Sequence, residues 1–237
     1  MDEFRIILIF GIQLPIGVIY FLAIAGLILR RNRKKLNKVF SMFFISTSMG
    51  SVLNIIYYLI SFEGLEILVS FLHILAYIFF LLGFVFLLLF NLLILKSEKV
   101  FVPRKQTILI LGYIALFSVL FVVGLGFNGV LLNPSNDWTP EWSLPFFITS
   151  LILAIPFLIV PIIYYSSKIL QEMQDKTVRG KWKIFMLGVV IYSLVLIGTA
   201  LVNFLNIAEI RQIWSIFALI LFLMVFTIYY GVGKQIK

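Results

Sequence analysis

The sequence predicts an all-α polytopic membrane protein: one bundle of seven transmembrane helices over residues 1–237, with the N-terminus outside and the C-terminus inside. Three observations carry this. Of the 237 residues, 62% are apolar and 12% charged, where a soluble domain has about 45–50% and about 25%. Seven apolar stretches reach the length of about 20 residues that a helix needs to cross a hydrocarbon core about 30 Å thick. Of the 19 Lys and Arg residues, 17 fall on one side of the alternating connections, and such a bias marks the cytoplasmic side.

The first stretch covers 6–29. The residues before it, Met1-Asp2-Glu3-Phe4-Arg5, are not basic and no small-residue cleavage site follows, so it reads as a span and not a signal peptide. It ends at Arg30, Arg31, Arg33, Lys34, Lys35 and Lys38, a stop-transfer cluster. The second and third stretches cover 39–61 and 67–95, and Lys96, Lys99, Arg104 and Lys105 follow. The fourth and fifth, 107–127 and 145–167, flank a loop with Asp137 and Glu141. Lys168, Lys176, Arg179, Lys181 and Lys183 precede the sixth, 184–206, and the seventh, 213–232, is followed by Lys234 and Lys237. Only Arg5 and Arg211 lie opposite, with Asp2, Glu3, Glu63, Glu66 and Glu209. The runs are twice as long as a transmembrane strand and do not alternate, which leaves helices. Trp138, Trp142 and Trp214 at the outer boundary, and Trp182, Tyr164, Tyr165, Tyr229 and Tyr230 at the inner one, read as an aromatic belt.

Several function classes fall away on composition. There is no Cys, so disulfides and thiolate chemistry are out. No Asp, Glu, Lys or Arg lies deep inside a predicted span, whereas proton relays and voltage sensors need such groups. The last span contains no Lys for a retinal imine. The single His73 makes neither a two-His haem site nor a multi-His zinc centre, and no acid accompanies it for a catalytic triad. No cofactor and no enzymatic activity are expected. The third span ends in Phe90-Asn91-Leu92-Leu93-Ile94-Leu95-Lys96 and the seventh in Thr227-Ile228-Tyr229-Tyr230, without the motifs of animal seven-helix receptors.

The polar side chains inside the spans concentrate in the outer half. Gln13, Asn54, His73 and Asn203 lie there, joined by Tyr57, Tyr77, Thr149, Ser150, Thr199 and Trp214, while Asn91 is on the inner half. His73 and Tyr77, Thr199 and Asn203, and Ser46, Gly50 and Asn54 share helix faces at i+4 spacing. Two readings compete. These groups bond across helices and hold the bundle together, or Gln13, Asn54, Tyr57, His73, Tyr77, Asn203 and Trp214 line an outward-opening ligand pocket, apolar with a few convergent polar groups. The Ser46/Gly50 pair reads as a close-packing contact.

Pro15 frees the carbonyl of Gly11, and Pro156 and Pro161 free those of Ile152 and Phe157, which predicts kinks in the first and fifth helices. The fifth helix is expected to continue to Lys176 and to break at Gly180. Lys168, Glu172, Lys176, Arg179 and Lys181 on this stretch form the candidate surface for a cytoplasmic signalling protein, with basic anchoring of a solvated loop as the other reading. The basic loops also suit anionic lipid.

The size, the N-out layout, the basic Arg30-Arg31-Asn32-Arg33-Lys34-Lys35 connection and the Arg179-Gly180-Lys181-Trp182 stretch resemble the seven-helix sensor regions that precede histidine kinases in prokaryotes. That resemblance implies a receptor or sensor in the cell membrane that takes a small molecule. As the chain stops at Lys237, the expectation is that a separate protein carries the output. The layout is also similar to the SWEET-type sugar transporters, whose first and fifth helices correspond and here both carry prolines. The second and sixth helices lack the prolines of that pattern. A small-solute facilitator is therefore the alternative function, and a structural membrane subunit the third.

Overall fold

The computed structural model describes residues 7–31, 34–134 and 138–233. It holds seven helices long and apolar enough to cross a membrane. Helix α1 is wound in wide π-type turns over Ile7–Tyr20 and as an α-helix over Phe21–Arg31. Helix α2 spans Lys35–Leu59 and α3 Glu66–Val100. Helix α4 runs over Pro103–Phe117 and continues through Val119–Phe121 and a wide turn at Val122–Gly126. Helix α5 comprises Leu144–Ala154, a wide turn at Ile155–Ile159, and Val160–Glu172. Helix α6 covers Lys176–Leu205, and α7 covers Ala208–Met224, Phe226–Ile228 and Tyr229–Gly233. The chain is an all-α seven-helix bundle and a multi-pass integral membrane protein. Each expected span overlies one helix, with its ends moved by a few residues. Asp2, Glu3, Arg5, Arg33, Asp137, Lys234 and Lys237 lie outside the described residues.

Helix α3 sits at the centre for a compositional reason. Its mean hydropathy of 3.0 is the highest of the seven, and 67% of its most apolar stretch is buried. A helix apolar all round is stable where neighbours surround it. Helix α2 packs against it where Gly50 removes a side chain: a Cβ there would stand 3.0 Å from the Ala76 carbonyl and 3.1 Å from the Phe80 ring. This is the close-packing role expected of the Ser46/Gly50 pair. Fully buried phenylalanines fill the layers between helices, with Phe40 against Phe90 at 4.8 Å and Phe84 against Tyr192 at 4.7 Å between ring centroids. Helices α4 and α7 are the opposite case. They present Ile108, Leu111 and Ile114, and Ile213, Ile216 and Ile220, outward, which suits a surface bathed in lipid.

The prolines are accommodated in two ways. Pro15 and Pro156 coincide with the wide turns of α1 and α5, where the hydrogen-bond ladder changes register. Pro161 supplies no N–H to the Phe157 carbonyl, and the Tyr113 hydroxyl of α4 donates to that oxygen at 2.7 Å. A freed carbonyl in hydrocarbon needs such a partner.

Two connections differ from expectation. The α5–α6 break falls at 173–175, and Gly180 lies inside α6. The reason is Asp175, whose carboxylate accepts from the backbone N–H of Thr177 at 2.7 Å and of Val178 at 3.1 Å and so starts α6 early. The α4–α5 connection is not a plain polar loop. It forms a short antiparallel hairpin, β1 (Val130–Leu131) paired with β2 (Glu141–Trp142), with Val130 opposite Trp142. Gly129 permits its entry, where a Cβ would stand 2.5 Å from the Val123 carbonyl. The hairpin thus marks one end of the bundle. Arg30, Arg31, Lys34, Lys35, Arg104, Lys105 and the α5–α6 turn mark the other, the basic end.

Candidate functional site

At the hairpin end, helix spacing and strand alternation place different side chains on different sides. Glu141 and Trp142 are adjacent on β2, so they point to opposite faces. Trp142 enters the bundle and is 2% exposed. Its indole N–H donates to His73 Nε2 at 2.7 Å. On α3, His73 and Tyr77 are one turn apart and share a face. Both meet the indole edge-on, with ring centroids 5.9 and 5.0 Å away, and Phe146 of α5 does so at 4.8 Å. Tyr57 of α2 meets the His73 ring edge-on at 5.0 Å. Edge-to-face pairs of this kind add about 0.5–1.5 kcal/mol each beyond burial.

The hairpin is fastened on its other side as well. Helix α6 ends at Asn206, in the left-handed conformation (φ 51°) that Asn tolerates at a helix C-cap. From there the Asn206 side-chain amide donates to Glu141 Oε2 at 2.6 Å. In α7 the Arg211 guanidinium donates to the Pro140 carbonyl at 2.9 Å. The hairpin therefore ties α3, α6 and α7 together at this end.

Behind the indole the polar accounting does not close. Indole N–H only donates, so Nε2 of His73 accepts and its ring proton rests on Nδ1. That Nδ1 is buried without a hydrogen-bond partner. The Tyr77 hydroxyl lies beside the Ser150 hydroxyl of α5, yet both are buried and neither has a partner in bonding geometry. A buried donor or acceptor left in this state costs about 1–3 kcal/mol. Three such groups gather around this one ring cluster.

The structure distributes the sequence-predicted residues unevenly. Tyr57, His73 and Tyr77 come together around Trp142. Trp214 does not join them: the outer edge of its indole lies against Gly198 in the α6–α7 seam, and its N–H donates to Thr199 Oγ1 at 3.1 Å. Gln13 is half-buried on α1, one turn before Gly17, where the backbone lies close against Ser51 of α2. Asn54 and Asn203 are half-buried on α2 and α6. Among the described residues, no hydrogen bond or ring contact joins Gln13, Asn54 or Asn203 to the His73 cluster. An open surface groove of about 410 Å³ at this end is lined by Gly64, Glu66, Ile67, Phe71 and Leu125. Phe71 is two residues from His73, so the groove faces the opposite side of α3. Beside His73 the space is filled by Trp142.

Trp142 is the residue the belt reading misplaced. The one sequence signal near it is the cluster of turn residues from Asn133-Pro134 to Asp137, which separates the short apolar run Val130-Leu131-Leu132 from the segment that ends in Trp142. Trp182 is likewise no belt anchor. It is buried at the basic end and its N–H donates to the Ser166 carbonyl at 2.8 Å. There Asn91 donates to Ser166 Oγ at 2.7 Å and to the Ile162 carbonyl at 3.2 Å, which joins α3, α5 and α6. A third knot lies between: Thr47 Oγ1 and the Tyr192 hydroxyl stand 3.0 Å apart, beside Gly83. In the proposed partner stretch, Lys168, Glu172, Lys176 and Arg179 are exposed and Lys181 is half-buried. Lys168 Nζ sits 4.9 Å over the Tyr164 ring.

No protein-family model, curated protein or solved structure matches this chain.

Proposed function

We propose that this integral membrane protein is a receptor- or sensor-type bundle of the cell membrane. Its small-ligand site faces outside, lies beneath the α4–α5 hairpin, and is closed by Trp142. The observation that supports this best is the Trp142–His73 hydrogen bond, made in front of the unpartnered His73 Nδ1, Tyr77 and Ser150 groups. In this reading the hairpin, held by one indole and two polar ties to α6 and α7, has a closed and a lifted position, and a ligand that binds better with the hairpin lifted shifts the population. Helices α6 and α7 then carry the change to the basic end. In this reading, Lys168, Glu172, Lys176, Arg179 and Lys181 contact a separate signalling protein.

The test is hydrogen exchange on the full chain in lipid nanodiscs, wild type against Trp142→Phe. The sensor reading expects faster exchange in the hairpin and a second change at 168–183. A change confined to the hairpin would sink it. It would favour a structural subunit, which the knots at Asn91–Ser166–Trp182 and Thr47–Tyr192 support. Flux of a small sugar through proteoliposomes would favour the facilitator instead.

A further inference from the structure

Trp142 is placed as a ligand would be. It reaches the site from a hairpin outside the ring of helices, is almost fully buried, and satisfies one acceptor, His73 Nε2. Aromatic edges from His73, Tyr77 and Phe146 surround its ring at interplanar angles of 72°, 79° and 84°. What the indole does not reach is equally specific: the His73 Nδ1–H donor and the Tyr77 and Ser150 hydroxyls. We propose that Trp142 is a tethered occupant of a recognition site for a flat aromatic molecule bearing an N–H or O–H donor, and that such a molecule opens the hairpin by taking its place.

The chemistry of the walls defines this class. A planar ring keeps the edge-to-face contacts that the indole makes now. A donor on the ring keeps the bond to His73 Nε2, without which the acceptor would be buried and empty. An acceptor substituent on the ring, placed beside Tyr77 and Ser150, would meet their two hydroxyls. That last set of bonds gives a free molecule its advantage over the tethered side chain, whose effective concentration is about millimolar for a short link. Displacement releases β2, and with it the Glu141–Asn206 and Pro140–Arg211 ties that hold the ends of α6 and α7. This inference rests on the receptor reading and names the ligand class of the same site.

The test uses the full chain in phosphatidylcholine nanodiscs with two probes: indole, and benzofuran, which has the same shape without the N–H. In Trp142→Ala, indole is expected to raise the thermal unfolding midpoint more than benzofuran does. Substituting His73→Leu in that background should abolish the difference. Indole should bind Trp142→Ala about 10–100-fold more tightly than wild type, the factor for a competing closed state that leaves about 1–10% of molecules open. A second measurement does not depend on the folding of Trp142→Ala. In otherwise wild-type protein, millimolar indole should speed thiol labelling of Val130→Cys, the buried position opposite Trp142, and benzofuran should not. Equal effects of the two probes, no effect of indole on either readout, or stabilisation of Trp142→Ala without faster Val130→Cys labelling would each overturn the proposal. The receptor reading fails separately: it survives an inactive indole if Trp142→Phe still alters exchange at 168–183, and falls if that region is unmoved.

Discussion

Replacing Tyr113 by Phe tests how this bundle tolerates a proline in the middle of α5. The Tyr113 hydroxyl donates at 2.7 Å to the Phe157 carbonyl, the oxygen for which Pro161 provides no N–H. Interhelical hydrogen bonds in membranes average about 0.6 kcal/mol and reach about 1.7. The Phe157 carbonyl belongs at the upper end, because its usual partner is missing and lipid offers none. Tyr113→Phe should therefore cost about 1–1.5 kcal/mol. In a Pro161→Ala background, residue 161 regains its N–H and the α-helical bond to Phe157 becomes available. There the same substitution should cost less than about 0.3 kcal/mol, a coupling of about 1 kcal/mol across the cycle. The assay is reversible unfolding of the four proteins in mixed micelles, followed by tryptophan fluorescence. Equal losses in both backgrounds would show that the Tyr113 hydroxyl does not substitute for the missing amide, and would refute the account of how α4 supports α5.

Four further outcomes are expected. The chain has no native Cys, so single-Cys variants report topology cleanly: Leu131→Cys should react with an impermeant reagent on intact cells and Lys176→Cys only after lysis, and the reverse would invert the orientation. His73→Leu should lower stability by about 1–3 kcal/mol, since it strands the buried Trp142 N–H, whereas Asn203→Ala should cost about 0.6 kcal/mol or less; similar losses in thermal unfolding would remove His73 from its place at the centre of the site. Gly198→Leu should destabilise by more than about 2 kcal/mol, because even a Cβ there overlaps the Trp214 indole, and pairing it with Trp214→Ala should recover part of the loss. The purified protein should show no visible absorption band, as α7 lacks Lys among its described residues and His73 is the single histidine; a band that survives washing would reveal a cofactor.

The polar residues illustrate how far a sequence alone carries such an argument. His73 and Tyr77 were legible as partners because a spacing of four is a local property of one helix. The i+4 series through Gly50 was legible for the same reason, and it does mark the α2–α3 contact. Asn203 and Trp214 lie at the same depth as His73, which made them candidates for the same site. Depth along the membrane normal is one coordinate, however, and a site needs three. The Trp214 indole turned into the α6–α7 seam because Gly198 left room for it there, and nothing near residue 214 in the chain announces that. Trp142 was misread by the same logic: a tryptophan just before an apolar stretch has the composition of an interfacial anchor.

What the sequence determined by itself is the set of properties that follow from solvent preference along the chain. Apolar runs of about 20 residues become spanning helices because an unpaired backbone in hydrocarbon is too costly for any other form. Asp175 starts α6 through a bond to its own near neighbours, and a reading of caps over the charged loop would have found it. Tertiary structure alone decided which polar groups meet. The His73–Trp142 bond joins positions 69 residues apart, Asn91 and Ser166 are 75 apart, and Thr47 and Tyr192 are 145 apart. Such pairs depend on the rotation of each helix about its axis and on how the hairpin folds back. In lipid those choices are made by close packing at residues such as Gly50, Gly83 and Gly198, because the hydrocarbon outside is as apolar as the side chains it meets.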